Sequence, residues 1–187
     1  MSTTSLKQKL YPSRIDLSTE IRQQVVALLN ASLATTLDLK TQVKQAHWNV
    51  KGMNFYSLHE LFDAIAGELE GYVDMVAERV TALGGLAMGT ARVAAADSIL
   101  PEYPFEITAG KDHLIALADR FAAYGSHVRE AIDQTGQWGD ADTADLYTEI
   151  SRTVDMRLWF LEAHLQDGEA GVTNGSSTAA AQQAKVK

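Results

Sequence analysis

Residues 54–85 read NFYSLHELFDAIAGELEGYVDMVAERVTALGG, and their periodicity decides the fold. At about 100° per residue, with His59 set at zero, ten apolar residues from Leu58 to Leu83 fall between about 200° and 320°. They are Leu58, Leu61, Phe62, Ile65, Leu69, Tyr72, Val73, Val76, Val80 and Leu83. This is the core-facing stripe of a helix capped at Asn54 and stopped by Gly84-Gly85. His59, Asp63, Asp74 and Glu78 fall instead within about 0–100°, on a different face.

The same period recurs on either side of this stretch. Ser18 caps a helix carrying Ile21, Val25, Leu28, Leu29, Leu39 and Val43, which closes at His47-Trp48-Asn49-Val50-Lys51-Gly52. Residues 86–106 are a long connection with Pro101 and Pro104, inside which Ala91–Asp97 forms a short helix. Thr108 opens a third long helix that runs to about Gln134 and stops at Gly136. A fourth spans about Asp142 to Gln166, ending at Gly168. No run alternates as a strand does. The expectation is an all-α protein, an antiparallel four-helix bundle over residues 18–167. Residues 1–17 are expected to be a flexible tail and 168–187 a disordered Gly/Ser/Ala/Gln tail.

Composition bounds the function. The 187 residues suit one domain with a sizeable core, 46% of them being hydrophobic. With no Cys there is no disulfide framework, no thiolate metal site and no thiol nucleophile. No run approaches the length of a membrane span and no signal-peptide core is visible, so the expected location is cytoplasmic. Sixteen Lys+Arg against 24 Asp+Glu leave a net charge of −8, which opposes nucleic-acid binding by the body. There is no Walker loop and no Rossmann glycine pattern. His59-Glu60-Leu61-Phe62-Asp63 lacks the second histidine of a zinc-protease HExxH, and no histidine follows a Glu at the Glu-x-x-His spacing.

Polar residues opposite an apolar stripe are ordinarily a solvated face, but three details single out this one. His59/Asp63 and Asp74/Glu78 are both i,i+4 pairs, a spacing that lets two side chains grip one ion. Imidazole mixed with carboxylate suits iron, manganese or zinc better than calcium or magnesium. The pairs also lie about 22 Å apart along the helix, too far to share an ion within one chain. A second copy packed antiparallel across a two-fold axis near residues 68–69 would bring one chain's His59/Asp63 against the other's Asp74/Glu78, twice. Gly67 and Gly71 would permit that close approach. His47 is placed to join as a further ligand. Trp48 and Lys44, beside it, are candidates for a supporting shell, or else for ordinary packing and surface charge. His113, His127 and His164 read as surface or locally bonded histidines.

The segments Gln45–Gly52, Asn54-Phe55, Leu58-His59-Glu60, Asp63, Asp74–Arg79 and Leu83–Gly85 strongly resemble the Dps family, the mini-ferritins. The likeness continues through Leu117–Arg120, Asp142–Asp145 and Leu158–Leu161, covering roughly residues 15–167. The resemblance implies a ferritin-like bundle assembled into a hollow dodecamer of two-fold dimers. It implies a ferroxidase that oxidises Fe(II), preferably with hydrogen peroxide, stores ferric mineral and protects against oxidative stress. His47, His59 and Asp63 of one chain with Asp74 and Glu78 of its partner would bind iron, two sites per dimer. These ligands are few for two tight irons, so a second iron at each site would be held more weakly or through water, and zinc is a competitor. The acidic run Asp140, Asp142, Asp145 and Glu149 caps the fourth helix; by resemblance Asp142, Asp145 and Glu149 line cation pores. The alternative function is a structural nucleoid protein that compacts DNA through Lys7, Lys9, Arg14, Lys185 and Lys187. A non-redox, zinc-binding assembly would keep the ligands and lose the oxidation.

Overall fold

The computed structural model describes residues 10–166. Five helices follow one another: α1 (Thr19–Asn49), α2 (Phe55–Ala82), α3 (Ala91–Asp97), α4 (Gly110–Gln137) and α5 (Ala141–Ala163). Among the described residues the only β pairing is an isolated bridge between Lys51 and Ala109. Long-range contacts give the directions. The end of α1 meets the start of α2 at His47 and His59, while Arg22 near the start of α1 reaches the Leu83 carbonyl beyond the end of α2. Ser32 bonds His127 and Gln42 bonds Arg120, so α1 and α4 are antiparallel. Arg79 bonds Asp140 and Glu68 bonds Arg157, so α2 and α5 are antiparallel too. α2 and α4 therefore run parallel, and joining them takes the long crossover that carries α3.

The apolar stripe of α2 faces the core: Leu58, Phe62, Ile65, Leu69, Tyr72, Val76, Val80 and Leu83 are all buried, with Leu61 and Val73 at its margin. Polar groups inside the bundle find partners on neighbouring helices. Ser32 Oγ lies 2.8 Å from the Tyr147 hydroxyl and 2.9 Å from His127 Nε2. The Tyr124 hydroxyl lies 2.6 Å from Thr36 Oγ1.

Several boundaries differ from the sequence expectation, each for a visible reason. The third long helix begins at Gly110 rather than Thr108, because the Thr108 carbonyl accepts from Lys51 N and holds the chain extended. It passes through Gly136 and ends before Gly139, whose φ of +81° breaks the helical run. α5 begins at Ala141, one residue before the expected Asp142, because Asp140 of the acidic run is its cap and accepts from Thr143 N at 3.0 Å. α5 ends at Ala163, short of Gln166. Asn54 precedes α2, but its side chain makes no capping bond.

Residues 10–17, read from sequence as part of a flexible tail, lie against the bundle. Leu10, Ile15 and Leu17 pack on the core, and Tyr11 N donates to the Gly84 carbonyl at 2.8 Å. At Gly84, φ is +84° and a Cβ would lie 2.4 Å from the Tyr11 carbonyl oxygen, so glycine is needed on both counts. Residues 1–9 and 167–187 lie outside the described residues, and with them Lys7, Lys9, Lys185 and Lys187.

His113 joins the crossover to α4. It is buried, and its Nδ1 lies 2.7 Å from the Tyr103 hydroxyl. Its Nε2 has no well-formed hydrogen bond. Burial pushes its pKa below the ordinary value, with Asp112 and the Asn49 backbone working weakly the other way. Burial likewise lowers the pKa of His127. For such a group the stability is fully present above the unfolded value of about 6.5 and is lost as pH falls towards the depressed folded value. Thermal melts at pH 7.5 and 5.5 are expected to show a drop in midpoint that His113→Gln reduces. Each histidine contributes at most about 1.4 kcal/mol per pH unit. An identical pH response in wild type and variant would show that His113 does not titrate on unfolding.

Candidate metal centre

The turn at residues 50–54 folds the end of α1 back beside the start of α2. It sets His47 and His59 face to face, with ring centroids 3.7 Å apart and planes inclined by 19°. Their hydrogen bonds are reciprocal. Nδ1 of His47 lies 2.8 Å from the His59 carbonyl oxygen, and Nδ1 of His59 lies 2.8 Å from the His47 carbonyl oxygen. A carbonyl only accepts, so each Nδ1 carries its proton. In the neutral rings both Nε2 atoms are therefore left with a lone pair, the form a metal ion takes. The same bonds satisfy carbonyls, one of them at the open C-terminal end of α1.

Asp63, one turn after His59, completes the cluster. Its Oδ1 lies 3.9 Å from His47 Nε2 and accepts from Lys44 Nζ at 2.6 Å. The bond from Lys44 is the main reason its carboxyl is held below the usual carboxylate range. Lys44 thus touches one of the candidate ligands directly. Trp48 is largely exposed, with the Lys44 ammonium 5.8 Å from its ring centre. Phe55 flanks His59 at 5.1 Å between ring centroids.

Asp74 and Glu78 are exposed further along α2, and neither has an ion-pair partner among the described residues. Between the two pairs, Gly67 and Gly71 face open space: a Cβ on either would meet nothing within 4 Å. Packing within the chain does not require glycine at either position. Among the described residues, no group of three or more His, Asp or Glu side chains of one chain could hold a metal ion. One chain thus carries the candidate donors as two separated groups, His47, His59 and Asp63 at one end of α2 and Asp74 and Glu78 further along it.

The acidic run at the start of α5 divides into two kinds. Asp140 is buried and committed, accepting from Thr143 N, Thr143 Oγ1 and Arg79 Nη2, the last at 2.6 Å. Asp142, Asp145 and Glu149 are exposed. Of the remaining histidines, His164 is exposed and bonded within its own turn to the Phe160 carbonyl, as expected of a surface or locally bonded histidine. His127 departs from that expectation, being half-buried and bonded across the bundle to Ser32 on α1, and so does His113, a core residue. The reciprocal carbonyl bonds and the Lys44–Asp63 bond were absent from the sequence reading. A histidine in the last turn of a helix, where carbonyls lack partners, was the available signal for the first.

The Ferritin-like domain model matches residues 26–170. The DNA protection during starvation protein of Agrobacterium fabrum is 42% identical over 159 residues, covering 85% of this chain and 98% of that one. The chain belongs to the Dps family of ferritin-like proteins. Solved Dps structures agree. DpsC from Streptomyces coelicolor superposes with a TM-score of 0.82 at 32% identity, covering 89% of this chain and 97% of that one. The tetragonal form of Mycobacterium smegmatis Dps gives a TM-score of 0.79 at 31% identity, covering 86% and 94%. The all-α, ferritin-like reading of the sequence stands, and in this Dps chain no described helix is long and apolar enough to cross a membrane.

Proposed function

We propose that this protein is a ferroxidase and iron store whose oxidation sites lie between two chains. The reciprocal pairing of His47 and His59 carries the reading, because it leaves two imidazole lone pairs beside the Asp63 carboxylate. Asp74 and Glu78 of a second chain, packed antiparallel across the bare backbone at Gly67 and Gly71, supply the remaining donors. Fe(II) enters as substrate. The imidazoles hold the ferrous ion, and the hard carboxylates favour the ferric state. Each Fe(II) gives up one electron, and one peroxide takes two electrons and two protons to become two waters. Lys44 neutralises Asp63 before iron arrives and must release it when the ion binds.

Twelve chains form a hollow shell that keeps the ferric product as mineral, and Asp142, Asp145 and Glu149 attract cations to its pores. Protection of DNA, for which the relatives are named, then follows from removing Fe(II) and peroxide together. Direct DNA compaction is the second reading. Against it stands the formal charge of about −96 on twelve copies, from −8 per chain, which repels phosphate. Anaerobic loading with Fe(II), followed by peroxide, is expected to produce ferric absorbance at two irons per peroxide, slowed by prior zinc. Absence of the ferric signal removes the oxidation and leaves a metal-binding assembly.

A further inference from the structure

His47 and His59 hold one another from α1 and α2, but the end of α1 is also gripped from a third element. Lys51 N donates to the Thr108 carbonyl at 2.9 Å, and Lys51 forms the isolated bridge with Ala109. The start of α4 therefore lies along the α1–α2 turn. Gly110, the first residue of α4, makes the approach close: a Cβ there would lie 2.5 Å from Cδ1 of Leu58. Leu58 is buried and directly precedes His59. In a close-packed interior, a shift at the start of α4 is passed on to the residue beside a candidate ligand.

One turn further along α4, His113 is 1% exposed, and the iron chemistry does not use it. Its hydrogen-bonding state follows from its neighbours. The Tyr103 hydroxyl lies 2.7 Å from Nδ1 and forms no other bond among the described residues. If Nδ1 donated, the buried hydroxyl hydrogen would lack an acceptor. The hydroxyl therefore donates to Nδ1, and in the neutral ring Nε2 carries the proton. The Asn49 backbone acts on this ring from α1 and favours its protonated form, as an accepting carbonyl does. The contact falls short of a well-formed hydrogen bond. Tyr103 is itself fixed, with the Arg120 guanidinium 5.1 Å from its ring centre and donating to the Glu102 carbonyl at 2.7 Å.

We propose that His113 is a positioning residue for the metal centre, its Nε2–H directed at the Asn49 carbonyl so that α4 fixes the last turn of α1. His59 fixes the same turn from α2. Given the intersubunit centre proposed above, on which this role rests, the two grips together set how the His47 lone pair meets an ion. His47 stands two residues before Asn49, so a loosened end of α1 lets its ring tilt out of place. His113 touches no iron and acts only through the backbone.

Anaerobic titration of the full-length protein with Co(II) alone tests this, because the visible bands report ligand geometry without any oxidation. The signal that belongs to the centre is the part lost in His59→Ala combined with Asp63→Ala. His113→Gln sets an amide N–H near the place of Nε2, whereas His113→Asn reaches only to the place of Nδ1. The Gln variant is expected to stay within about twofold of wild-type affinity, and the Asn variant to lose about tenfold with shifted bands. Tyr147→Phe removes another buried hydroxyl bond, to Ser32, and should change neither affinity nor bands. Equal affinities in the Gln and Asn variants, the reverse order, or an equal loss in Tyr147→Phe overturns the proposal and leaves the centre standing. A Co(II) signal that survives the His59 and Asp63 substitutions overturns the centre and this role with it.

Discussion

His59→Ala combined with Asp63→Ala is expected to abolish fast Fe(II) oxidation, and so is Asp74→Ala combined with Glu78→Ala. Co-assembly of the two inactive variants should restore activity to about one quarter of wild type. In a mixed dimer one site joins the mutated half of each chain and the other joins the intact halves. Random pairing makes half of the dimers mixed, and each mixed dimer has one working site of two. Stopped-flow ferric absorbance after the mixture is unfolded and refolded measures this. A site contained in one chain would give no recovery, and recovery without co-assembly would exclude sharing. Circular dichroism of the separate variants should keep the helical signal, because Leu58, Phe62, Ile65 and their neighbours hold α2 on the opposite face. His59→Ala does lose the bond to the His47 carbonyl, so a loss of about 1 kcal/mol in stability accompanies it.

Asp140→Ala is expected to be the most destabilising single change at the α2–α5 junction. It removes the N-cap of α5 and the buried partner of Arg79, whose Nη2 lies 2.6 Å from Asp140 Oδ1. Arg79 keeps a bond to Thr143 and an Asp142 carboxylate 3.8 Å away, which softens the loss. Losing a cap and part of a buried pair together costs about 3 kcal/mol. For a chain of this size that is roughly 6–12 °C in thermal midpoint. Asp142→Ala should leave the midpoint almost unmoved, because Asp142 is 86% exposed. Equal effects of the two substitutions would show that burial does not separate their roles.

Much of the candidate site was legible in the sequence because its parts are local. An i,i+4 spacing places His59 beside Asp63 on any helix, whatever the helix packs against. The 15-residue gap sets the two pairs about 22 Å apart along the helix, so a single ion held by both would need a second chain. Asp140 shows where local reading stops. In sequence it is one acid among four near a helix start; in the fold it is buried by Arg79, 61 residues earlier. The arm at residues 10–17 is similar: polar and proline-bearing as sequence, it is held by a glycine carbonyl more than seventy residues away.

By itself the sequence determined the helices, the face of α2 that enters the core, and the division of the candidate donors His59, Asp63, Asp74 and Glu78 into two pairs on another face. All of these follow from the 3.6-residue period and from side-chain chemistry, which act over one or two turns. Only the tertiary structure decided which ring nitrogens of His47 and His59 are free, that Lys44 holds Asp63, and that Asp140 is spent on Arg79. Those outcomes depend on which carbonyl, ammonium or guanidinium a neighbouring helix brings within about 3 Å, a distance set by packing between segments remote in the chain.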